Sequence, residues 1–186
     1  MQDEESLVHW AKQGDQKAFT QLYEGHFDRI YRYVAFKIGD RMEAEDMTQL
    51  VFLKALQSIS SFKWKGVPFA AWLFRIAHNQ IVDHLRKKKK QPLTLFDESL
   101  VSHGDGNPQL MMEHNLDIKQ LVSATEQLTK AQREVISLRF AGELSIAEVA
   151  NIMGKSQGAI KALQHSAIVA LRRILSAGNN EEVQRI

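Results

Sequence analysis

SIAEVANIMGKSQGAIKALQHSAIVALRR, residues Ser145 to Arg173, is the stretch that decides the fold of this chain. Ser145, followed three residues later by Glu148, forms a capping box that opens a short helix. Ile146, Val149 and Ile152 give that helix one apolar face, and Gly154 stops it. Ser156 then caps a longer helix running to about Ala177. Short helix, glycine turn, longer helix is the plan of a helix-turn-helix. At about 100° per residue, Ile160, Leu163, Ala167, Leu171, Ile174 and Leu175 share one sector of the second helix. Lys161, His165 and Arg172 lie outside it, beside Gly158 and Ala162, whose small side chains allow close approach to a partner. Gln164 falls nearer the apolar sector and is the weaker contact. The exposed candidates are Lys155, Ser156, Gln157, Lys161 and His165. They combine cations for phosphates with hydrogen-bonding groups for base edges. An ordinary helical hairpin with a solvated polar face has the same spacing.

Upstream, Leu128 to Glu134 opens another helix with Thr129 as its N-cap. Val135, Ile136, Leu138 and Phe140 carry that helix on until Gly142 ends it. In the first half, Phe19, Leu22, Tyr23, Phe27, Ile30, Tyr31 and Val34 recur at spacings of three and four, one helical face that Gly39-Asp40 breaks. A second helix begins near Arg41 or Met42, with Glu43, Glu45 and Asp46 suiting its positive end. A third spans about Phe69 to Lys90, its inner side given to Trp72, Leu73, Ile76, Ile81 and Leu85. No segment alternates for long. The fold class is therefore all-α, and Leu93-Thr94-Leu95-Phe96 is too short a candidate strand to change it. Residues 91–113 lack periodicity and hold Pro92, Pro108 and a Gly-Asp-Gly cluster, which reads as a flexible linker. The expected organisation is a helical domain over 1–90, an acidic linker over 91–120, a helix-turn-helix domain over 121–178 and a tail over 179–186.

Charge sorts by segment. Residues 1–60 hold seven Lys/Arg against ten Asp/Glu, residues 61–90 eight against one, residues 91–120 one against five, and residues 155–186 five against two. Two basic stretches flanking an acidic one imply two places where a polyanion is held. In the first, Phe62, Trp64, Phe69, Trp72 and Phe74 stand among Lys63, Lys65 and Arg75, with Arg86 to Lys90 following. Lysines attract a phosphate backbone and exposed aromatics stack on unpaired bases, a pairing that suits single strands. Phe62 and Trp64, in an irregular stretch, are the expected exposed pair, whereas Trp72 is expected in the core.

Other functional classes find little support. The chain has no cysteine, hence no disulfide framework or cysteine-zinc site. No apolar run reaches the roughly 18 residues of a membrane span. Asp3, Glu4 and Glu5 carry the wrong charge for a signal peptide, so the expected location is cytoplasmic. Seven histidines are scattered, and His78 and His84 fall on different sides of one helix. Glu43, Glu45 and Asp46 resemble helix-start acids more than a cation site. No catalytic residues, cofactor or metal are expected. Two readings stay open beside the first: a helix-turn-helix regulator that binds duplex DNA unaided, and a helical adaptor that binds nucleic acid without sequence preference.

Ala44-Glu45-Asp46-Met47-Thr48-Gln49-Leu50-Val51-Phe52-Leu53-Lys54-Ala55-Leu56 resembles the helix by which sigma factors grip the clamp of core RNA polymerase. Phe69 to Asn79, followed by Asp83, Leu85, Arg86 and lysines, resembles their promoter-melting element. Leu128 to Arg173 resembles the domain that reads the upstream (−35) promoter element. The ordered set is similar to the extracytoplasmic-function sigma factors of the sigma-70 family, which keep only two sigma domains. The resemblance implies these partners: core RNA polymerase, through the clamp of its beta-prime subunit; promoter DNA; and an anti-sigma factor. It places Asp46, Gln49, Phe52, Leu53 and Lys54 at the polymerase. It places Phe62, Lys63, Trp64, Lys65, Phe69, Arg75, Asn79, Arg86 and Lys87 at the −10 strand. Lys155, Ser156, Gln157, Lys161 and His165 fall at the −35 duplex. This chain departs from the family at Leu163, Ser166 and Ile168, where arginines are common, which implies fewer phosphate contacts by the second domain.

Overall fold

The computed structural model describes residues 3–63, 67–88 and 123–183, with side chains as far as Ala177. The linker over 91–120, the strand candidate at 93–96, and Trp64 and Lys65 lie outside the described residues. Every regular element among the described residues is helical. They are α1 (Glu4–Lys12), α2 (Gln16–Ile38), α3 (Arg41–Ser58) with a 3-10 turn (Ile59–Ser61), α4 (Phe69–Lys88), α5 (Lys130–Ile136) continued by a π turn (Ser137–Ala141), α6 (Ile146–Met153) and α7 (Gln157–Val183).

Local chemistry sets these boundaries. Asp15 accepts from the backbone N–H groups of Lys17 and Ala18 at the start of α2, and Gly39, at φ 81°, ends that helix in the left-handed region. Asp40 accepts from the N–H of Glu43 and opens α3. Thr129 and Gln132 form a reciprocal capping box on α5, as do Ser145 and Glu148 on α6. Gly154, at φ 62°, ends α6, and the Ser156 hydroxyl accepts from the N–H of Ala159 in α7. Helix α7 runs on past Ala177 to Val183. Gly178 does not stop it, because one helical glycine costs only about 1 kcal/mol.

The first half packs α2, α3 and α4 around Leu22, Ile30, Val34, Val51, Leu73 and Ile81, all nearly inaccessible. Helix α1 closes one side, tied by the Glu4 carboxylate 2.8 Å from His26 Nε2. The buried face of α2 also takes in His26 and Tyr33, and the aromatic side chains of Tyr23 and Phe27 lie on Phe52 of α3.

Both halves share one core. Val135, Leu138, Leu144, Val149 and Ile160 of the second half cluster with the apolar residues of α2 and α4. At the seam the Glu134 carboxylate is buried and meets three groups of the first half. Tyr33 donates its hydroxyl at 2.7 Å, Lys37 its ammonium at 2.5 Å, and His78 Nδ1 lies at 3.0 Å. Nearby, Arg29 donates to the carbonyls of Gly142 and Glu143, and Arg32 to that of Ala141. These arginines satisfy the negative, carbonyl-bearing end of the α5–π segment.

Gly142 ends the α5–π segment as expected, with a helical φ of −83°, and the positive φ falls on Glu143 at 53°. Glycine is needed at 142 for space: a Cβ would lie 2.7 Å from the Phe74 ring and 2.9 Å from the Leu138 carbonyl oxygen.

Burial alone would raise the Glu134 pKa. The hydrogen bond from His78 and the charge of Lys37 outweigh it and hold the carboxyl at about 2, against an ordinary 4.5. Since the folded value is the lower one, this stabilisation is complete above about pH 4.5 and is lost as pH falls towards 2. Its size is on the order of 3 kcal/mol. We therefore expect Glu134→Gln to lower the melting temperature near neutral pH, with the gap from the parent narrowing steadily on acidification; a gap independent of pH would contradict the seam. Gly142→Ala should cost about 1–3 kcal/mol through overpacking against Phe74, read as a lower denaturation midpoint.

Candidate nucleic-acid interface

Helix α3 turns Ala44, Met47, Thr48, Val51 and Ala55 inward. The opposite face leaves Asp46, Gln49 and Lys54 exposed, beside Leu50, Leu53 and Leu56, which are 37%, 51% and 48% exposed. Leucines aligned along a solvent-facing helix mark a protein-binding surface better than a solvated one. Phe52 departs from the expectation. It is buried, with its ring 4.6 Å from that of Tyr23, and supports the helix from behind.

The aromatic segment is more deeply packed than expected. Phe62 and Phe69 are 3% and 1% exposed, so neither ring is available for stacking on a base. They pack on each other and on the half-buried Trp72, with centroids 5.1–5.7 Å apart. The irregular backbone around Phe62 does not expose it, because three aromatic rings bury more apolar area together than apart. Lys12 of α1 donates to the Phe62 carbonyl at 2.9 Å and anchors the start of that loop. Lys63 is exposed.

Arg75, Asn79, Arg86 and Lys87 are exposed on α4. Three of them, Arg75, Asn79 and Arg86, recur at helical spacing and form a polar stripe with His78. The basic end of α4 is fixed to the start of α3, where Lys88 reaches both Glu43 carboxylate oxygens at 2.8 and 3.0 Å and His84 lies at 3.2 Å. The hydrogen bond from Lys88 is the chief reason the Glu43 pKa is lowered. Glu45 pairs with Arg41. Between α3 and α4, Lys54, Gln57, Ser58, Ile76, Asn79 and Gln80 line an open groove of about 360 Å³. Lys54 and Asn79, assigned to different partners by the family resemblance, meet in one groove.

In the second half, Lys155, Ser156, Gln157, Lys161 and His165 are all exposed around the start of α7. Ile160 and Ala167 are fully buried, as the helical wheel requires. The Ser156 hydroxyl is engaged as a cap through its lone pair. A Cβ at Gly158 would meet nothing nearer than Ser156 Oγ at 4.0 Å, so a partner can come close there. Gln164 accepts from Arg139 Nε at 3.0 Å, which accounts for its weakness as a contact. Leu163 and Ile168 are half-buried against the core, and Ser166 accepts from Gln132 at 2.8 Å. These three positions serve packing in this chain. Helix α6 lies across α4, and Arg75 donates to the Asn151 carbonyl at 3.1 Å. The Glu134 seam was not legible in the sequence, since its four groups come from three distant segments.

Two family models match in chain order: sigma-70 region 2 over residues 22–91 and sigma-70 region 4 over residues 124–173. The chain is 37% identical to the ECF RNA polymerase sigma factor BldN of Streptomyces coelicolor, over 91% of its own length and 64% of BldN. It is 32% identical to the ECF RNA polymerase sigma factor SigW of Bacillus subtilis, covering 90% of this chain and 94% of SigW. Among solved structures, CnrH in complex with the cytosolic domain of CnrY superposes with a TM-score of 0.69 at 26% identity, covering 92% of this chain and 96% of that one. With both sigma-70 regions matched in order and SigW covered over nearly its whole length, the chain belongs to the ECF RNA polymerase sigma factors.

Proposed function

We propose that this sigma factor directs core RNA polymerase to promoters by dividing the work among three surfaces. The exposed face of α3, with Asp46, Gln49, Leu50, Leu53 and Lys54, binds the clamp of the polymerase beta-prime subunit. The groove between α3 and α4, together with Lys63, Arg75, Arg86 and Lys87, takes the unpaired −10 strand. The start of α7, from Lys155 to His165, enters the major groove of the −35 duplex. Trp64 and Lys65 belong to the loop that would capture a flipped base.

The observation that carries this reading is the apolar face of α3 beside the Lys54–Asn79 groove. A helix-turn-helix regulator binding duplex unaided has no use for an exposed leucine face, nor for a polar groove on the neighbouring helix. A sequence-indifferent adaptor has no use for an exposed leucine face beside that groove. The sigma factor itself catalyses nothing. By binding the opened strand it shifts the closed–open equilibrium of the promoter towards melting.

In this reading residues 1–90 and 121–178 are the working units, the acidic linker over 91–120 connects them through polymerase, and 179–186 is a tail. The protein acts in the cytoplasm. An anti-sigma factor holds it until needed, as CnrY is found bound to CnrH.

Abortive initiation by bacterial core polymerase on a promoter library tests the reading. Promoter-dependent transcripts should appear only when the protein is added; their absence would remove the sigma function. Replacing Lys161 and His165 together by alanine should weaken −35 discrimination at unchanged polymerase affinity. Leu53→Ala should do the reverse, lowering core affinity roughly tenfold as an interface anchor does, measured by titration of labelled protein with core.

A further inference from the structure

The Glu134 seam is a site viewed from the wrong partner. Tyr33, Lys37 and His78 all belong to the first half, and their three donors converge on one carboxylate supplied by the second half, at 2.5–3.0 Å. If the two halves part, as spanning a promoter requires, the carboxylate leaves and the donors stay. One ammonium, one phenol and one imidazole, fixed on two packed helices, then face an empty anion position. The ring of Tyr33 is held 5.3 Å from Phe74 within the first half, so the site does not depend on Glu134 for its shape.

Its place in the fold indicates the ligand. On α4, His78 lies in one sector with Arg75, Asn79 and Arg86, at spacings of three, one and eight residues. That sector is the stripe assigned above to the unpaired promoter strand. Lys37 and Tyr33 of α2 extend the stripe sideways at His78. An anion travelling along it is a phosphodiester.

We propose that Tyr33, Lys37 and His78 form a phosphate-binding site for the non-template promoter strand, and that Glu134 occupies it as an intramolecular substitute while the chain is closed. Two consequences follow. The strand gains a charge-assisted contact on α2, outside the melting element itself. The second half also blocks single-strand binding until it is displaced, because carboxylate and phosphate compete for the same donors. Arg75, which donates to the Asn151 carbonyl, is released in the same step. The proposal rests on the sigma reading and goes beyond it in assigning these residues.

The probe is a single-stranded oligonucleotide carrying the −10 sequence enriched in the promoter library, bound to polymerase holoenzyme over a series of salt concentrations. Lys37→Gln should weaken binding about tenfold, the loss of one charge-assisted contact. It should also flatten the dependence of log affinity on log salt by about 0.7, one phosphate on a single strand. A merely structural lysine would leave that slope unchanged, and an unchanged slope overturns the proposal. His78→Gln keeps a polar side chain and should weaken binding in the same direction if Lys37→Gln is compromised in folding. In the free chain, Glu134→Gln should raise oligonucleotide affinity at least several-fold, with no change once polymerase has separated the halves. A free Glu134→Gln chain that binds no better than the parent removes the competition with Glu134. If the parent protein gives no promoter-dependent transcript with core, the sigma reading fails first and the proposal falls with it.

Discussion

A buried carboxylate that cannot be left alone organises this structure. Removed from water without partners, Glu134 would cost several kcal/mol. Tyr33, Lys37 and His78 make its burial tolerable, and they do so only when α5 lies against α2 and α4. The arginine contacts to the α5–π segment, the close approach of Gly142 to Phe74 and the continuous apolar core all follow from that docking. Desolvation also pushes the Tyr33 pKa well above its ordinary value, with the Glu134 charge adding to it, so the phenol remains a donor at any physiological pH.

The seam between the halves combines this polar cluster with a shared apolar core. If the halves part as proposed, the carboxylate, ammonium, imidazole and guanidinium groups regain hydration, while Val135, Leu138, Val149 and Ile160 give up their apolar contacts with the first half. Helix α6 lies across the stripe of α4, while the leucine face of α3 and the start of α7 stay open.

Most of the architecture was readable from local signals. Thr129 with Gln132, Ser145 with Glu148, Asp40 and Gly39 each act within four residues, and each lies at a helix end in the structure. The wheel of α7 separated Ile160 and Ala167 from Lys161 and His165 because a helix on a core has one dry side. What was missed is long-range. Phe62 looked exposed because its flanking backbone is irregular, but tertiary contact with Phe69 and Trp72 decides its burial. Phe52, expected at a partner, is buried against Tyr23 on the inner side of α3. Gly142 ends its helix as read, but its second role, as a spacer against a ring 68 residues upstream, left no local sign. Glu134, in a stretch read as an ordinary capped helix, gave no local sign of its partners on α2 and α4.

The central claim is that the Glu134 contact holds the two halves together in the free protein and that polymerase breaks it. The chain contains no cysteine, so Glu24→Cys and Val169→Cys, both at exposed positions of α2 and α7, provide two clean labelling sites. The distance between them, measured by pulsed electron spin resonance, should be single and narrow in the free protein. It should broaden in Glu134→Gln and lengthen when core polymerase is added. A distribution that is already broad in the parent protein, or unchanged by polymerase, would contradict the account.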